Sequence, residues 1–281
     1  MEQKRSFLAR PVVAALLASL CAILWGSAYP AIKSGYTLFS VGGDDTAAKM
    51  AFAGLRFVVS GLLVFLFRAF QRGEKQPLSS LDGKDWTKIG ALSLVQTTVH
   101  YTFFYIGVSY ISGAKSSILN ASTVFFSALL AHFAYTNDKV TVKKAIGILL
   151  GFAAVILVNL DDSLGFSFTV TGEGFILIAA FLHSFSALFS KRLSRRIDPV
   201  LMTALQLFIG GFLLLLIGLI MGSPFPRSTA SGYLLLGYLA ALSAIAFSLW
   251  TLLLKYNKVS SITIFNFLIP VSGTLLSALF L

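Results

Sequence analysis

Arg56 is the first residue to explain, because it is the one charge set deep inside a long apolar stretch of the chain, 47–69. A charge at the centre of a membrane helix costs about 2.5–3.5 kcal/mol on insertion scales, so its presence needs a reason. Two are open. It can line a cavity and attract a carboxylate or phosphate. Alternatively it is structural, bonded to helix-end carbonyls with its apolar stem lying along the helix. The structural role is the expectation.

Polar stripes come next. Ser116, Asn120, Thr123 and Ser127 step by three or four residues, as do Thr263, Asn266, Pro270, Gly273 and Ser277. Such spacing puts each set on one helix face. Hydroxyls and small residues glue membrane helices together, but a buried asparagine amide also needs partners of its own. At least one of Asn120 and Asn266 is therefore expected on a solute pathway. His100, four residues after Gln96, and His183, beside Ser186 and Ser190, also sit within apolar stretches. They can serve as packing residues or as proton carriers that titrate near neutrality. All eleven acidic residues fall in tails, loops or stretch ends. Exchange of a cation for protons usually needs a membrane carboxylate, so neutral, zwitterionic or anionic solutes fit better. No metal-ligand spacing, phosphate-binding loop or serine-nucleophile elbow is present, and no metal or cofactor is expected.

These residues need elements to position them, and composition identifies the elements. The chain is 57% hydrophobic and 12% charged, against about 25% charged in a soluble domain. Lipid must be part of its solvent. In hydrocarbon only helices or closed barrels satisfy their own backbone hydrogen bonds, and the apolar runs here have helix length. The expected fold is an all-α polytopic membrane protein. Nine spans are predicted: 11–33, 47–69, 87–109, 113–135, 142–160, 173–193, 199–221, 231–254 and 259–281. Pro199 suits a first helical turn. The first span lacks a small-x-small cleavage site and reads as uncleaved. The apolar run reaching Leu281 has no polar flank, so a tenth helix is expected beyond it.

The net charge of +11 would suggest nucleic acid in a soluble protein. Here the basic residues orient the chain instead. The N-terminus and every second loop hold Lys4, Arg5, Arg10, the 68–88 group, Lys139, Lys143, Lys144, the 191–196 group, Lys255 and Lys258. The alternate loops and span ends hold Lys33, Lys49, Lys115 and Arg227, while loop 161–172 carries Asp161 and Asp162 and no basic residue. The positive-inside rule then places the N-terminus in the cytoplasm of a cell (inner) membrane protein. Nucleic acid is not an expected partner; a lipid bilayer, a small-molecule substrate and a second copy of the chain are.

The sequence also repeats. GLRFVVSGLL (54–63) aligns with ALQLFIGGFL (204–213), and ALS (91–93) with ALS (241–243), both at an offset of 150. Arg56 thereby aligns with Gln206, polar but uncharged. CAILWGSAYPAIK (21–33) aligns loosely with AAFLHSFSALFSK (179–191). Spans 1–4 thus correspond to spans 6–9. Five helices per copy is an odd number, so the second copy is inverted, a pattern of transporters whose site lies near the midplane between the copies. The expected division is 1–160 for the first repeat and 161–281 for the second.

WGSAYPAIK (25–33), RF (56–57), YIGVSYISGAKSSIL (105–119), NDKVTVKKAIGILLGFAAVIL (137–157) and SSITIFNFLIPVSGTLLSAL (260–279) together resemble the drug/metabolite transporter superfamily, EamA type. The resemblance implies two five-helix repeats and alternating-access movement of small metabolites or drugs, often efflux. Thr123 or its neighbour stands where the family often has proline, and Asp138 where a glutamate usually opens the loop. The matching glutamate and the tenth helix would follow Leu281.

The resulting expectation is a secondary transporter and not an enzyme. Trp25, Tyr29, Tyr101 and Trp250 are expected to supply flat walls to the pathway, and His100, Asn120, His183 and Asn266 polar contacts. Gly26, Pro30 and Pro270 are expected to kink their helices, because proline lacks the N–H that its i−4 carbonyl would accept. The first span is read as a bent gate helix, and a bend needed only for packing is its alternative. The alternative function is a lipid-modifying membrane enzyme, for which His132 and Asp138 form the nearest acid/base pair.

Overall fold

The computed structural model describes residues 7–71, 75–111, 113–158 and 168–280, and every regular element among them is helical. After a short 3-10 turn at Phe7–Ala9, α1 runs Pro11–Leu38, with Pro11 in the first turn where its missing N–H costs nothing. Asp45 starts α2 (Thr46–Phe70) by accepting a hydrogen bond from the Ala48 N–H at 2.8 Å. Asp82 and Asp85 form a capping box at α3 (Gly83–Ser93). A π segment, Leu94–Val99, joins α3 to α4 (His100–Tyr110). Then come α5 (Gly113–Asn120), α6 (Ser122–Ala134) and α7 (Val142–Val158). The second half has a π segment, Val170–Gly174, continuing into α8 (Phe175–Leu193). Next are α9 (Pro199–Ile220), with Pro199 in its first turn as expected, and α10 (Ala230–Tyr256). Finally α11 (Val259–Thr263), a 3-10 stretch (Ile264–Phe267) and α12 (Leu268–Phe280) make one broken span.

Among the described residues each of the nine expected spans is occupied by helix, three of them as composites: α3–α4, α5–α6 and α11–α12. Six helical stretches among the described residues are long and apolar enough to cross a membrane unaided. Boundaries move where polar caps decide them. The sixth span begins at Val170, inside the stretch expected to be a loop. Asp161, Asp162, the 160/161 division, Lys4, Arg5, Arg72 and Leu281 lie outside the described residues. Large apolar side chains such as Leu66, Phe133, Leu149 and Ile220 stay exposed around the outside, as lipid-facing positions should.

The repeat is visible in the packing. The most extensive helix pair is α2 against α9, equivalent helices of the two copies. Gly61 and Gly211, in the same register, make that approach possible. A Cβ at Gly61 would come 2.6 Å from the Phe208 backbone N, and one at Gly211 2.7 Å from Phe57 Cβ. Small residues let membrane helices pack this closely. Around this pair, α1 packs on α10 and α12, and its counterpart α8 packs on α4, α5 and α6. The chain is a polytopic membrane protein of two inverted helical repeats.

The breaks in spans four and nine also correspond. Pro270 is the third residue of α12 and cannot donate to the Asn266 carbonyl, which fits the 3-10 stretch just before it. Span four has no proline. There the Thr123 hydroxyl donates to the Asn120 carbonyl at 2.6 Å and that of Ser122 to Leu119, taking up acceptors that the break exposes. The expected kink between Gly26 and Pro30 does not interrupt α1, which stays helical on both sides of Pro30. Gly26 has a different purpose: a Cβ there would lie 3.0 Å from the Gly273 backbone N, so its absence lets α12 cross α1.

Candidate functional site

The bundle has an amino-terminal face, where α1 begins, and a distal face, where α1 ends. A cavity of about 310 Å³ occupies the distal half. It reaches the distal face at Lys33, which is exposed. Both repeats wall it. From the first come Trp25, Tyr29 and Tyr36 of α1, Lys49 and Arg56 of α2, His100, Tyr101 and Tyr105 of α4, and Ser116 and Asn120 of α5. The second repeat gives His183, Phe247, Asn266 and Pro270.

Nine of the residues singled out from sequence therefore meet at one place: Trp25, Tyr29, Arg56, His100, Tyr101, Asn120, His183, Asn266 and Pro270. Trp250 does not. The expectation that it walls the pathway is corrected: it lies beneath the cavity with its ring 5.0 Å from that of Trp25. Phe247, one helical turn earlier, takes the wall position. Of the two polar stripes, Ser116, Asn120 and Thr123 reach the cavity and Ser127 is buried outside it. Thr263 bonds back to the Val259 carbonyl, Gly273 packs near Tyr29, and the Ser277 side chain lies outside the described residues. Gln96 accepts a hydrogen bond from Ser190 at 3.2 Å, away from the cavity.

The floor is aromatic. The Trp25 ring meets Phe247 at 5.4 Å and His183 at 6.4 Å, both edge-on, and the rings of His100 and His183 are 5.4 Å apart. Tyr101 packs on Phe57 at 4.6 Å, and the Tyr29 hydroxyl interacts with the Asn120 side chain. Several lining side chains retain unspent hydrogen-bonding capacity. Among the described residues Trp25 Nε1, Ser116 Oγ and Asn266 Oδ1 are buried with no hydrogen-bond partner, a state that folded proteins usually avoid.

Arg56 is 3% exposed, and its Nε donates to the Ser243 hydroxyl at 2.9 Å. Its partner is thus a side chain of α10 and not a helix-end carbonyl. The guanidinium lies 5.2 Å from the Phe57 ring centroid. Lys49, read from sequence as a span end, also lines the cavity; its ammonium donates to the Gly43 carbonyl and to Ser109 at 3.1 Å. Tyr36 and Lys49 were missed. The signal for Tyr36 was present in the steps Trp25, Tyr29, Lys33, Tyr36, which follow one helix face past the predicted end of span one.

Below the floor the helices close. Ala14, Ala18, Cys21, Ala246, Leu253 and Ile262 form a tight cluster. At the amino-terminal face Asp138 joins the repeats: it accepts from the Ser260 N–H at 3.1 Å, the Ser260 hydroxyl, and Lys144 Nζ at 2.7 Å. Burial pushes its carboxyl up, but these donors outweigh burial and hold it below the usual carboxylate range. His132 Nδ1 accepts from the Val140 N–H at 3.0 Å. Each member of the acid/base pair considered for an enzyme is thereby engaged in holding a loop. At the distal face Lys115 pairs with Glu173, which also accepts from Thr169.

Fold and site define a class, a helical membrane transporter built from two repeats around a central cavity. The chain matches the EamA-like transporter family over residues 12–160 and 170–281 and belongs to it. It is similar to an uncharacterized transporter of Archaeoglobus fulgidus, at 25% identity over 91% of this chain and 84% of that one. The uncharacterized transporter YvbV of Bacillus subtilis is 26% identical over 95% and 83% of the two chains. A solved crystal structure, 19% identical, shares the fold with a TM-score of 0.74 over 95% of this chain and 90% of the other.

Proposed function

We propose that the protein is a secondary transporter that carries a small amino acid-like, neutral or anionic solute, or a drug, by alternating access, in the direction of export. We place it in the cell (inner) membrane with the N-terminus in the cytoplasm, as the distribution of Lys and Arg favours. The distal face is then outside and the cavity is outward-open. The observation that carries this reading is the position of the cavity: it lies between the two inverted repeats, is walled by both, is open at one face and is sealed at the other. Rocking residues 1–160 against 161–281 would close the distal mouth and part the small-residue seam below Trp25. The names of the relatives support transport and leave the solute open.

Purified protein in proteoliposomes, challenged with a panel of amino acids, organic acids and uncharged metabolites, tests it. Accumulation or counterflow of at least one solute is expected, lost in Trp25→Ala and reduced in Asn266→Ala. Flux no greater than in empty liposomes for the whole panel, with no phenotype in overexpressing cells, would remove the transport reading.

A further inference from the structure

We propose that the cavity selects a solute that carries a carboxylate beside a flat apolar body, and that Arg56 is the residue that binds the carboxylate. This rests on the cavity being the solute site.

Charge is the first observation. Three cations line the cavity, Lys33, Lys49 and Arg56, and no Asp or Glu is among the lining residues. The three differ in how far their charge is already spent. Lys33 sits in water at the mouth. Lys49 is held by Gly43 and Ser109, with Asp44 and Asp45 acting on it electrostatically. Arg56 is buried, and among the described residues no carboxylate forms an ion pair with it. A buried, unpaired charge is costly unless something compensates it.

Geometry is the second. Arginine carries five N–H donors in a planar fork. Nε is taken by Ser243, which orients the group, and the side chain packs beside Phe57. No hydrogen bond occupies the two terminal nitrogens among the described residues, and these are the pair that bind a carboxylate through two parallel bonds. Trp25, Tyr29 and His183 line the same cavity, flat surfaces suited to a planar or apolar body. A volume of about 310 Å³ limits that body to a small molecule.

The repeat supplies an internal control. Gln206 occupies the Arg56 register in the second copy. It donates to Thr97 between α9 and the π segment of span three, and it does not line the cavity. A neutral amide is enough to join equivalent helices. The guanidinium is therefore more than the repeat architecture requires, and it is present on the copy that faces the cavity.

The test compares 3-phenylpropionate, its amide and 3-phenylpropylamine, read as quenching of tryptophan fluorescence in the purified full chain and as counterflow in proteoliposomes. The carboxylate is expected to bind about tenfold or more tighter than the amide, the range of a charge-assisted hydrogen bond, and the amine weakest. Arg56→Gln should abolish the preference while leaving amide affinity within about threefold, and Arg56→Lys should retain part of it. Equal binding of carboxylate and amide by the wild type, which needs no variant to fold, overturns the proposal and leaves transport standing. Preference retained in Arg56→Gln, or no binding by any of the three, overturns it too. Carboxylate binding without counterflow upholds the anion site and counts against transport.

Discussion

The two halves of the bundle use the same pair of repeats, yet between those repeats the distal half holds a cavity, whereas the amino-terminal half closes along the seam below Trp25 and has its pocket to one side, between α3 and the end of α8. Along α1 the change occurs at Trp25. Before it, Ala14, Ala18, Cys21 and Ala22 are nearly or fully buried against the neighbouring helices. After it, Trp25, Tyr29, Lys33 and Tyr36 face open space. Small side chains let helices converge until backbones nearly touch, whereas rings and long cations hold them apart. Along the face of α1 that runs from Ala14 to Tyr36, the change from small to large side chains coincides with the change from sealed to open, while Gly26 and Ala28, beside that face, keep α1 packed in the distal half. The polar ties differ as well: Asp138, Lys144 and Ser260 clasp the repeats on the sealed side, and the cavity side has the Lys115–Glu173 pair at its rim.

The strongest way to break the comparison is to disturb the axis common to both halves. Gly211→Leu would drive a side chain into Phe57 and the Val58 backbone. Overpacking of this kind costs about 3 kcal/mol or more where backbone cannot retreat. Loss of folded protein in detergent size-exclusion chromatography is expected, with both halves failing together. A well-folded variant that lost only the cavity would show that the repeats do not share this core.

Trp25→Ala acts at the junction itself. The ring contacts His183, Phe247 and Trp250, and truncating a largely buried tryptophan costs about 3 kcal/mol. Thermal unfolding should show that loss, and transport should vanish in protein that still folds. Retained transport would mean that the floor is not a barrier.

Asp138→Asn tests the clasp. The wild-type carboxyl has a folded-state pKa below its unfolded value of about 3.9. Its stabilisation is therefore fully present above that value and is lost as pH falls through the depressed folded one. Lys144 is partly exposed, so the contribution is about 1–2 kcal/mol. Melting curves from pH 7 to pH 3 should fall less steeply in the asparagine variant. Cys21, the one cysteine in the chain, is buried in the seam and reports its opening. Maleimide labelling should be slow in wild type and several-fold faster in Asp138→Asn. Unchanged labelling would uncouple the clasp from the seam.

Much of this was legible because lipid imposes a strong pattern. Nine apolar runs gave nine spans, and the offset of 150 placed Gly61 with Gly211 and Arg56 with Gln206 in equivalent packing. Depth along a helix was harder to read. Trp250 and Phe247 are three residues apart and share a face, and which of them walls the cavity depends on where the floor lies. The π segment at 94–99, LVQTTV, changes the helical winding with no proline or glycine to mark it, and the one at 170–174, VTGEG, holds two glycines that read as the end of a loop. In span four the break rests on Ser122 and Thr123 hydroxyls, whose residue types alone do not announce one. Lys49 read as a span end because it stands at the start of the predicted span 47–69, and its hydrogen bond to Ser109 on α4 is a tertiary contact that spacing does not show.

Pro30→Ala is the mildest and sharpest probe of the hollow half. Alanine restores an N–H that can donate to the Gly26 carbonyl, and α1 is already helical through this position. Stability should change by no more than about 1 kcal/mol. A proline needed solely for packing predicts normal melting and normal transport. A gate helix predicts normal melting with altered transport, because the missing bond is where α1 would bend as the distal mouth closes over Tyr29 and Tyr36. The second result is expected, read as counterflow rate in proteoliposomes at matched protein content. Gly26→Ala then separates bend from contact. Its Cβ would strike Ser272 and the α12 backbone, so loss of folding there beside a folded Pro30→Ala assigns Gly26 to helix contact and Pro30 to movement.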